Sequence, residues 1–391
     1  MAVRALRNVP WLIYFKDNYR WSFNVHIALA MGRSGGGDIG EVDQVCRALA
    51  GKSGDEGAWF REWRKMGDRL RLRGEEELRK GHRLSAAADF QRACTYYQMG
   101  ERFRLPKDKA ALAAYKESIR CFHRYATLTD RPSIAPAEIP FGRKKLPAYF
   151  IPPQGRAKAR PPVVVLYNGF DGTKEMSVNW AADALTRRGM ACLVADSPGV
   201  GESIRFRGIH LRYDVEVAGS AILDWLEKRK DVNGRRAAIM APSLGGYYAP
   251  RTASMEPRFK ACVAWGAQWD YHAIWKKRIE AAFRMQLPVP GDHLCWSLKT
   301  KTLGQALKKL ENFRLDGVVQ RMRCPFLLVH GVDDQQIPMS DARACHRAVG
   351  SKDKTLKVYH GPDGGAQHCN TDYLAPVVDY MADWLKEKLG A

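Results

Sequence analysis

The chain has 391 residues, of which 46% are hydrophobic and 27% charged, the balance of a globular protein with room for one large domain and a smaller one. A net charge of +21 raises nucleic acid, a membrane surface or an acidic substrate as partners; but residues 1–130 carry +8 and the remainder +13, spread evenly, with no RRM, zinc-finger or homeodomain pattern. Nine scattered cysteines without a C-x-x-C pair argue against a zinc site or a redox pair, and no stretch approaches the roughly 20 apolar residues of a membrane span.

Free thiols at irregular spacing fit a reducing cytosol. The N-terminal apolar run WLIYF is too short for a signal-peptide core, so the expected location is cytoplasmic. Residues 1–130 read as a helical domain. Val9 to Met31 is aromatic-rich (Trp11, Tyr14, Phe15, Tyr19, Trp21, Phe23, His26) and ends in the loop GRSGGGD. Helical spacing follows over Ile39–Leu49, Ala58–Arg73, Glu75–Met99 and Ala110–Thr127. The aromatic stretch has two readings, a core stripe or the lining of a substrate pocket, and core is the commoner fate of such residues. Gly51-Lys52-Ser53 is not a phosphate loop: Cys46 stands where the pattern needs a glycine, and no strand precedes it.

From Arg131 the composition shifts to proline-rich segments that bracket two short extended pieces, Ala137–Phe141 and Lys145–Ile151, which read as an antiparallel hairpin. Apolar strands are then predicted at Val163–Tyr167, Ala191–Ala195, Ala237–Met240, Ala261–Trp265, Phe326–His330 and Leu356–Tyr359. Helices are expected at Met176–Arg188, Val215–Lys230, Gly245–Met255, Ser340–Ala348 and Tyr373–Lys388. Apolar strands alternating with helices imply a mostly parallel, doubly wound sheet covered on both faces. Residues 131–391 thus form one α/β domain, and the long gap at 268–323 reads as an inserted lid.

The strand-to-helix junction at Ala241-Pro242-Ser243-Leu244-Gly245 has the spacing of a nucleophile elbow, with Ala in the first glycine position. A serine there sits on a strained corner, so residues two away on either side must be small. The new helix aims free N–H groups at a developing oxyanion, with Leu244 as the first donor. A serine hydroxyl also needs a base and a carboxylate to orient that base. Two aspartates, Asp333 and Asp334, follow the next-to-last strand in HGVDDQQIP. Of the two histidines after the last strand, His360 sits at the strand end as a structural residue. His368 lies in a Gly-rich loop that lets its ring reach the serine.

HGVDDQQIP resembles the His-Gly-x-x-Asp-x-x-(Val/Ile)-Pro loop of α/β-hydrolases, and ADSPGVGES resembles a second loop of that superfamily. The resemblance implies an α/β-hydrolase fold. It selects Asp334, fifth from His330, as the triad acid with Asp333 as alternative. It also places the second oxyanion donor at Phe170 in NGFDGTKE, with Asp171 as alternative. The helical N-terminal region and the motifs NGFDGTKE, DSPGVGES, SLGGYYAPR, HGVDD and GGAQHC are similar to the group that holds 2,6-dihydroxypseudooxynicotine hydrolase, the fungal pigment-pathway hydrolases that shorten polyketide chains, and FrsA-type proteins. That likeness implies hydrolysis of a C–C bond next to a ketone in an acyl-phenol or 1,3-dicarbonyl compound, or of a carboxylic ester or lactone. It further implies a homodimer; from composition, spacing and charge pattern, no cofactor or metal is expected, and neither nucleic acid nor a membrane as partner. The sequence departs from the group at Ala241-Pro242 and in GAQWDYHAIW after Trp265. A C–C hydrolase must protonate its leaving carbon. Asp270 is the first candidate for an additional acid, ahead of Glu280 and Asp292.

Overall fold

The computed structural model describes residues 14–155, 158–284 and 291–391. The Val9–Ile13 part of the aromatic stretch, with Trp11, and residues 285–290 of the insert lie outside the described residues. The chain forms two compact units, one comprising the described residues of Met1–Ala135 together with Val178–Asp183, the other Pro136–Ser177 with Ala184–Ala391.

The first unit is helical: α1 (Tyr19–Ala30), α2 (Ile39–Ala48), α3 (Glu56–Arg79), α4 (Arg83–Arg102) and α5 (Lys109–Leu128). Four of the five helices start on a side chain that accepts an otherwise unpaired N–H: Asn18 from Trp21, Asp38 from Glu41, Asp55 from Ala58 and Asp108 from Ala111. Along α3, Trp59, Trp63, Met66 and Leu70 recur at helical spacing and are buried. Trp59 lies 4.8 Å from Trp21 and 5.5 Å from Trp63, ring centre to ring centre, and donates its indole N–H to the Met99 carbonyl at 2.7 Å. Trp21 and Phe23 are therefore core residues of this unit. The expected break near Gly74 is absent; α3 runs through it to Arg79, and the turn falls at Lys80–His82. The glycine serves packing instead. A Cβ on Gly74 would stand 3.0 Å from the Phe90 ring, and one on Gly67 3.0 Å from the Tyr97 ring, so both glycines let α4 approach closely.

The second unit is built on one eight-stranded sheet: β1 (Ala135–Phe141), β2 (Lys144–Ile151), β3 (Val163–Leu166), β4 (Ala191–Ala195), β5 (Ala237–Pro242), β6 (Ala261–Trp265), β7 (Phe326–Gly331) and β8 (Lys354–Tyr359), in the spatial order β1-β2-β4-β3-β5-β6-β7-β8. From β4 to β8 every pairing is parallel, and β2 joins β4 antiparallel, Ala148 opposite Ala195. Strands β3 to β7 are buried along their whole length, which is why they read as unbroken apolar runs. After β3 the chain steps outward to β4, then returns across β3 to β5. The strand order thus reverses between β3 and β5, the topological position at which ligand sites of such sheets are commonly placed.

The helices of this unit are α6 (Lys174–Ser177), α7 (Asp183–Thr186, which begins with the last residue of the first unit), α8 (Gly201–Arg205), α9 (Glu216–Glu227) and α10 (Gly245–Met255). Three more, α11 (Tyr271–Arg284), α12 (Gly291–Leu298) and α13 (Leu303–Leu310), belong to the insert, and α14 (Met339–Ala348) and α15 (Leu374–Leu389) close the chain. The expected single helix Met176–Arg188 is broken: α6 and α7 flank a π-helical turn at Val178–Ala182. That turn belongs to the first unit, where the Asn179 side chain accepts a hydrogen bond from Gln91 at 2.9 Å. The polar anchor overrides the helical period read from the sequence. Among the described residues no helix is long and apolar enough to cross a membrane.

Candidate active site

Strand β5 ends at Pro242, and Ser243 turns the chain into α10 with φ +58°. Such a backbone is costly for a residue with a Cβ. It is held by the Ser243 N–H on the Trp265 carbonyl of β6 at 2.9 Å and by the Gly246 N–H on the Ser243 carbonyl at 2.7 Å. The small-residue requirement is met narrowly. A Cβ on Gly245 would lie 2.3 Å from the Ala241 Cβ, so with Ala at 241 only glycine fits at 245.

The three groups read from the sequence meet in one hydrogen-bonded line. His368 Nε2 is 2.9 Å from Ser243 Oγ, and His368 Nδ1 is 2.8 Å from Asp334 Oδ2. The other Asp334 oxygen accepts the N–H groups of Gln336 at 2.8 Å and Ile337 at 2.9 Å, so the loop after β7 fixes the carboxylate. The side chains of Asp334 and His368 are only 1% and 3% exposed. Asp333 is exposed, and its backbone N–H binds the Ala366 carbonyl at 2.9 Å. His360 is also exposed. His330 is buried on the Ile337 carbonyl at 3.1 Å.

Burial alone would raise the Asp334 carboxyl, but His368, then His330 and the Ile337 N–H, hold it below its ordinary value. Burial alone would likewise lower the His368 imidazole. The Asp334 carboxylate, followed by the Cys369 thiol, pushes it above the usual imidazole range.

The loop after β3 lies against the serine. A Cβ on Gly169 would come within 3.1 Å of the Ser243 Cβ and 3.7 Å of Ser243 Oγ, and the Gly172 N–H closes a turn on the Gly169 carbonyl at 3.0 Å. Leu244 is buried at the head of α10. Phe170 packs on insert residues, 4.6 Å from the His293 ring and 5.6 Å from the Trp275 ring, while Asp171 Oδ1 is 3.6 Å from His293 Nε2. Asp270 caps α11 through the Ala273 N–H at 2.9 Å and pairs with Arg314 at 3.3 Å. Glu280 and Asp292 are exposed on α11 and α12.

The sequence reading missed what holds the histidine loop. Asp372 accepts three successive backbone N–H groups just before His368: Gly365 at 2.9 Å, Ala366 at 3.0 Å and Gln367 at 3.1 Å. Asn370, fully buried with φ +51°, accepts the Trp265 indole N–H at 2.8 Å and donates to the Gly365 carbonyl. Cys369 places its sulfur 3.5 Å from His368 Nε2. A carboxylate four residues after the histidine is the one signal that could have suggested such a clamp. Asp372→Ala should leave three N–H groups without that acceptor and lower kcat roughly tenfold, with a Tm fall of a few degrees. Steady-state kinetics and calorimetry check this, and an unchanged kcat would contradict it.

Comparison with known proteins places the chain in a family. The family described as "Esterase FrsA-like" matches residues 46–389. A 20-hydroxy-prefusarin hydrolase of Gibberella moniliformis is 29% identical over 90% of this chain and 92% of its own. A 2,6-dihydropseudooxynicotine hydrolase of Paenarthrobacter nicotinovorans is 27% identical over 85% of each chain. In fold, the crystal structure of the 2,6-dihydroxy-pseudo-oxynicotine hydrolase superposes with a TM-score of 0.77 at 24% identity, covering 93% of this chain and 95% of that one. With its eight-stranded mixed sheet, its helical N-terminal region and this match over most of its length, the chain is a hydrolase of the α/β-hydrolase fold and belongs to the FrsA-like esterase family.

Proposed function

We propose that the protein hydrolyses a C–C bond next to a ketone, in an acyl-phenol or 1,3-dicarbonyl compound, with Ser243 as nucleophile, His368 as base and acid, and Asp334 as the orienting carboxylate. The observation that carries this is the unbroken line Asp334–His368–Ser243, with the serine on a strained elbow at the sheet's switch point. In the reaction Ser243 Oγ adds to the carbonyl carbon as its proton passes to His368 Nε2. The oxyanion receives the Leu244 and Phe170 N–H groups. As the carbonyl re-forms, the C–C bond breaks and its electron pair leaves on the departing carbon as an enolate or ring carbanion. That carbon takes back the proton held on His368, directly or relayed through Asp270, which leaves the ring neutral again. Water, deprotonated by His368, then releases the acyl group as a carboxylic acid.

Hydrolysis of an ester or lactone by the same triad is the second reading, and one observation favours it. Asp270 is already engaged by a backbone N–H and by Arg314, and an ester's alkoxide leaving group needs no acid beyond His368. Parallel assays of a p-nitrophenyl ester, a β-diketone and an acyl-phloroglucinol decide between them. C–C cleavage should exceed ester cleavage in kcat/KM, and Asp270→Asn should slow C–C cleavage at least tenfold while sparing the ester. Ester turnover alone would overturn the first reading.

A further inference from the structure

The motifs NGFDGTKE and DSPGVGES are far apart in sequence but share one buried ion cluster. Lys174 Nζ lies 2.8 Å from Glu175 Oε1, 2.9 Å from Glu202 Oε2 and 3.3 Å from Asp196 Oδ2. The Lys174 side chain is 2% exposed, those of Glu175 and Asp196 1% and 0%. The Lys174 backbone N–H also donates to Asp196 Oδ1 at 2.7 Å, so one carboxylate grips both the main chain and the side chain of one residue. Asp196 is fixed in turn. Its Oδ2 accepts the Glu202 N–H at 2.7 Å, and its carbonyl accepts the Ser203 hydroxyl at 2.7 Å. The Tyr149 hydroxyl donates to Glu175 Oε1 at 2.8 Å, and Arg207 holds the outer Glu202 oxygen at 2.8 Å. Gly201 is required here, because a Cβ at its φ of +52° would fall 2.1 Å from Asp196 Oδ1.

Lys174 stands two residues beyond Gly172, where the turn that carries Phe170 ends, and Gly169 of that turn faces the Ser243 side chain so closely that a Cβ on it would lie 3.1 Å from the Ser243 Cβ. The other end of the turn is tied by the Tyr167 N–H on the Met240 carbonyl at 3.1 Å and by Asn168 on the Ser177 hydroxyl at 3.1 Å. Taking a lysine and three carboxylates out of water is expensive, and apolar residues of similar volume fill such space at lower cost. What the ions supply that apolar packing does not is a directional fix on one backbone segment.

We propose that Lys174 is a positioning residue for the oxyanion hole: its ion cluster with Glu175, Asp196 and Glu202 sets the loop that presents the Phe170 N–H to a substrate attacked by Ser243. This rests on the nucleophile reading above. The effect belongs to the transition state, so the ground-state complex is left nearly unchanged.

The experiment compares the full-length wild type with Lys174→Met, Asp196→Asn and Glu202→Gln. The last lies at the rim, with its side chain 14% exposed, and retains the fold if the two inner variants do not. A fluorophosphonate probe first establishes whether Ser243 is labelled. Each variant is then measured for ester kcat and KM, and for inhibition by a trifluoromethyl ketone and by the matching methyl ketone. The trifluoromethyl ketone forms a hemiketal oxyanion; the methyl ketone only occupies the site. The expected result is a kcat lowered roughly 10- to 100-fold with KM within about twofold. Trifluoromethyl ketone affinity should fall by a similar factor, methyl ketone affinity should hold, and Glu202→Gln should show the same pattern in smaller measure. A kcat loss without loss of trifluoromethyl ketone preference, or full activity in the variants, would overturn the positioning role. Unlabelled Ser243 in the wild type would instead remove the nucleophile reading, and this proposal with it.

Discussion

Ser243→Ala should abolish turnover, lowering kcat by roughly 10⁴-fold or more, and should remove fluorophosphonate labelling altogether. Asp334→Asn should cost about 10⁴-fold, because an amide cannot hold the imidazole in the tautomer that accepts the serine proton. Asp333→Asn should stay within about twofold, since that side chain is exposed and outside the line. The pH dependence follows from the same contacts. Ser243 can give up its proton only to a neutral imidazole, so kcat/KM rises as His368 loses its proton. Asp334 and Cys369 stabilise the charged ring against the cost of its burial, so more base is needed to deprotonate it. The acid limb should therefore lie above the ordinary imidazole value of about 6.5, and Asp334→Asn should move the residual activity's limb to lower pH. His330, the other titratable ring near Asp334, is pushed below its ordinary value by burial, against the pull of the Asp334 carboxylate and the Ile337 carbonyl. Persistent labelling in Ser243→Ala, a larger loss at Asp333 than at Asp334, or a limb at or below pH 6.5 would each break a separate link.

Much of this geometry was legible in the sequence because backbone rules are local. The elbow needs small residues around Ser243, and Ala241 and Gly245 supply them two positions away on either side. Buried parallel strands need continuous apolar runs, and β3 to β7 have them. The misreadings came where tertiary contacts gave a residue a different task. Gly74 reads as a helix break, yet its missing side chain makes room for Phe90 and the helix continues. Met176–Arg188 has an even helical period, but the side-chain bond between Gln91 and Asn179 anchors a π turn in its middle. Asp372 and Lys174 escaped notice for a related reason. Asp372 acts on backbone N–H groups, and Lys174 acts chiefly on carboxylates more than 20 positions away, so no periodicity marks either. Asp270 illustrates the opposite case: a carboxylate picked for chemistry that the fold also uses as a helix cap.

The second large effect concerns the backbone behind the serine. Gly246→Ala should lower stability by about 3 kcal/mol or more, although alanine is the better helix former by about 1 kcal/mol. Gly246 lies in the first turn of α10, directly against the end of β6. A Cβ there would sit 1.8 Å from the Gly266 carbonyl oxygen, 2.5 Å from its carbon and 2.9 Å from the Ala267 Cα. All three atoms are backbone, so no rotamer change relieves the overlap; α10 or the end of β6 must move. Either shift strains the bond from the Ser243 N–H to the Trp265 carbonyl, so the elbow loosens and activity falls with stability. Gly304 in α13 is the control, because a Cβ there meets nothing within 4 Å. Gly304→Ala should raise stability by a few tenths to about 1 kcal/mol through helix propensity alone. At roughly 2 °C per kcal/mol for a large domain, calorimetry should show a Tm at least about 6 °C lower for Gly246→Ala and level or slightly raised for Gly304→Ala. A Gly246→Ala protein that melts with the wild type and keeps its kcat would mean that α10 can slide along β6 at little cost, and that the nucleophile's position does not depend on this contact.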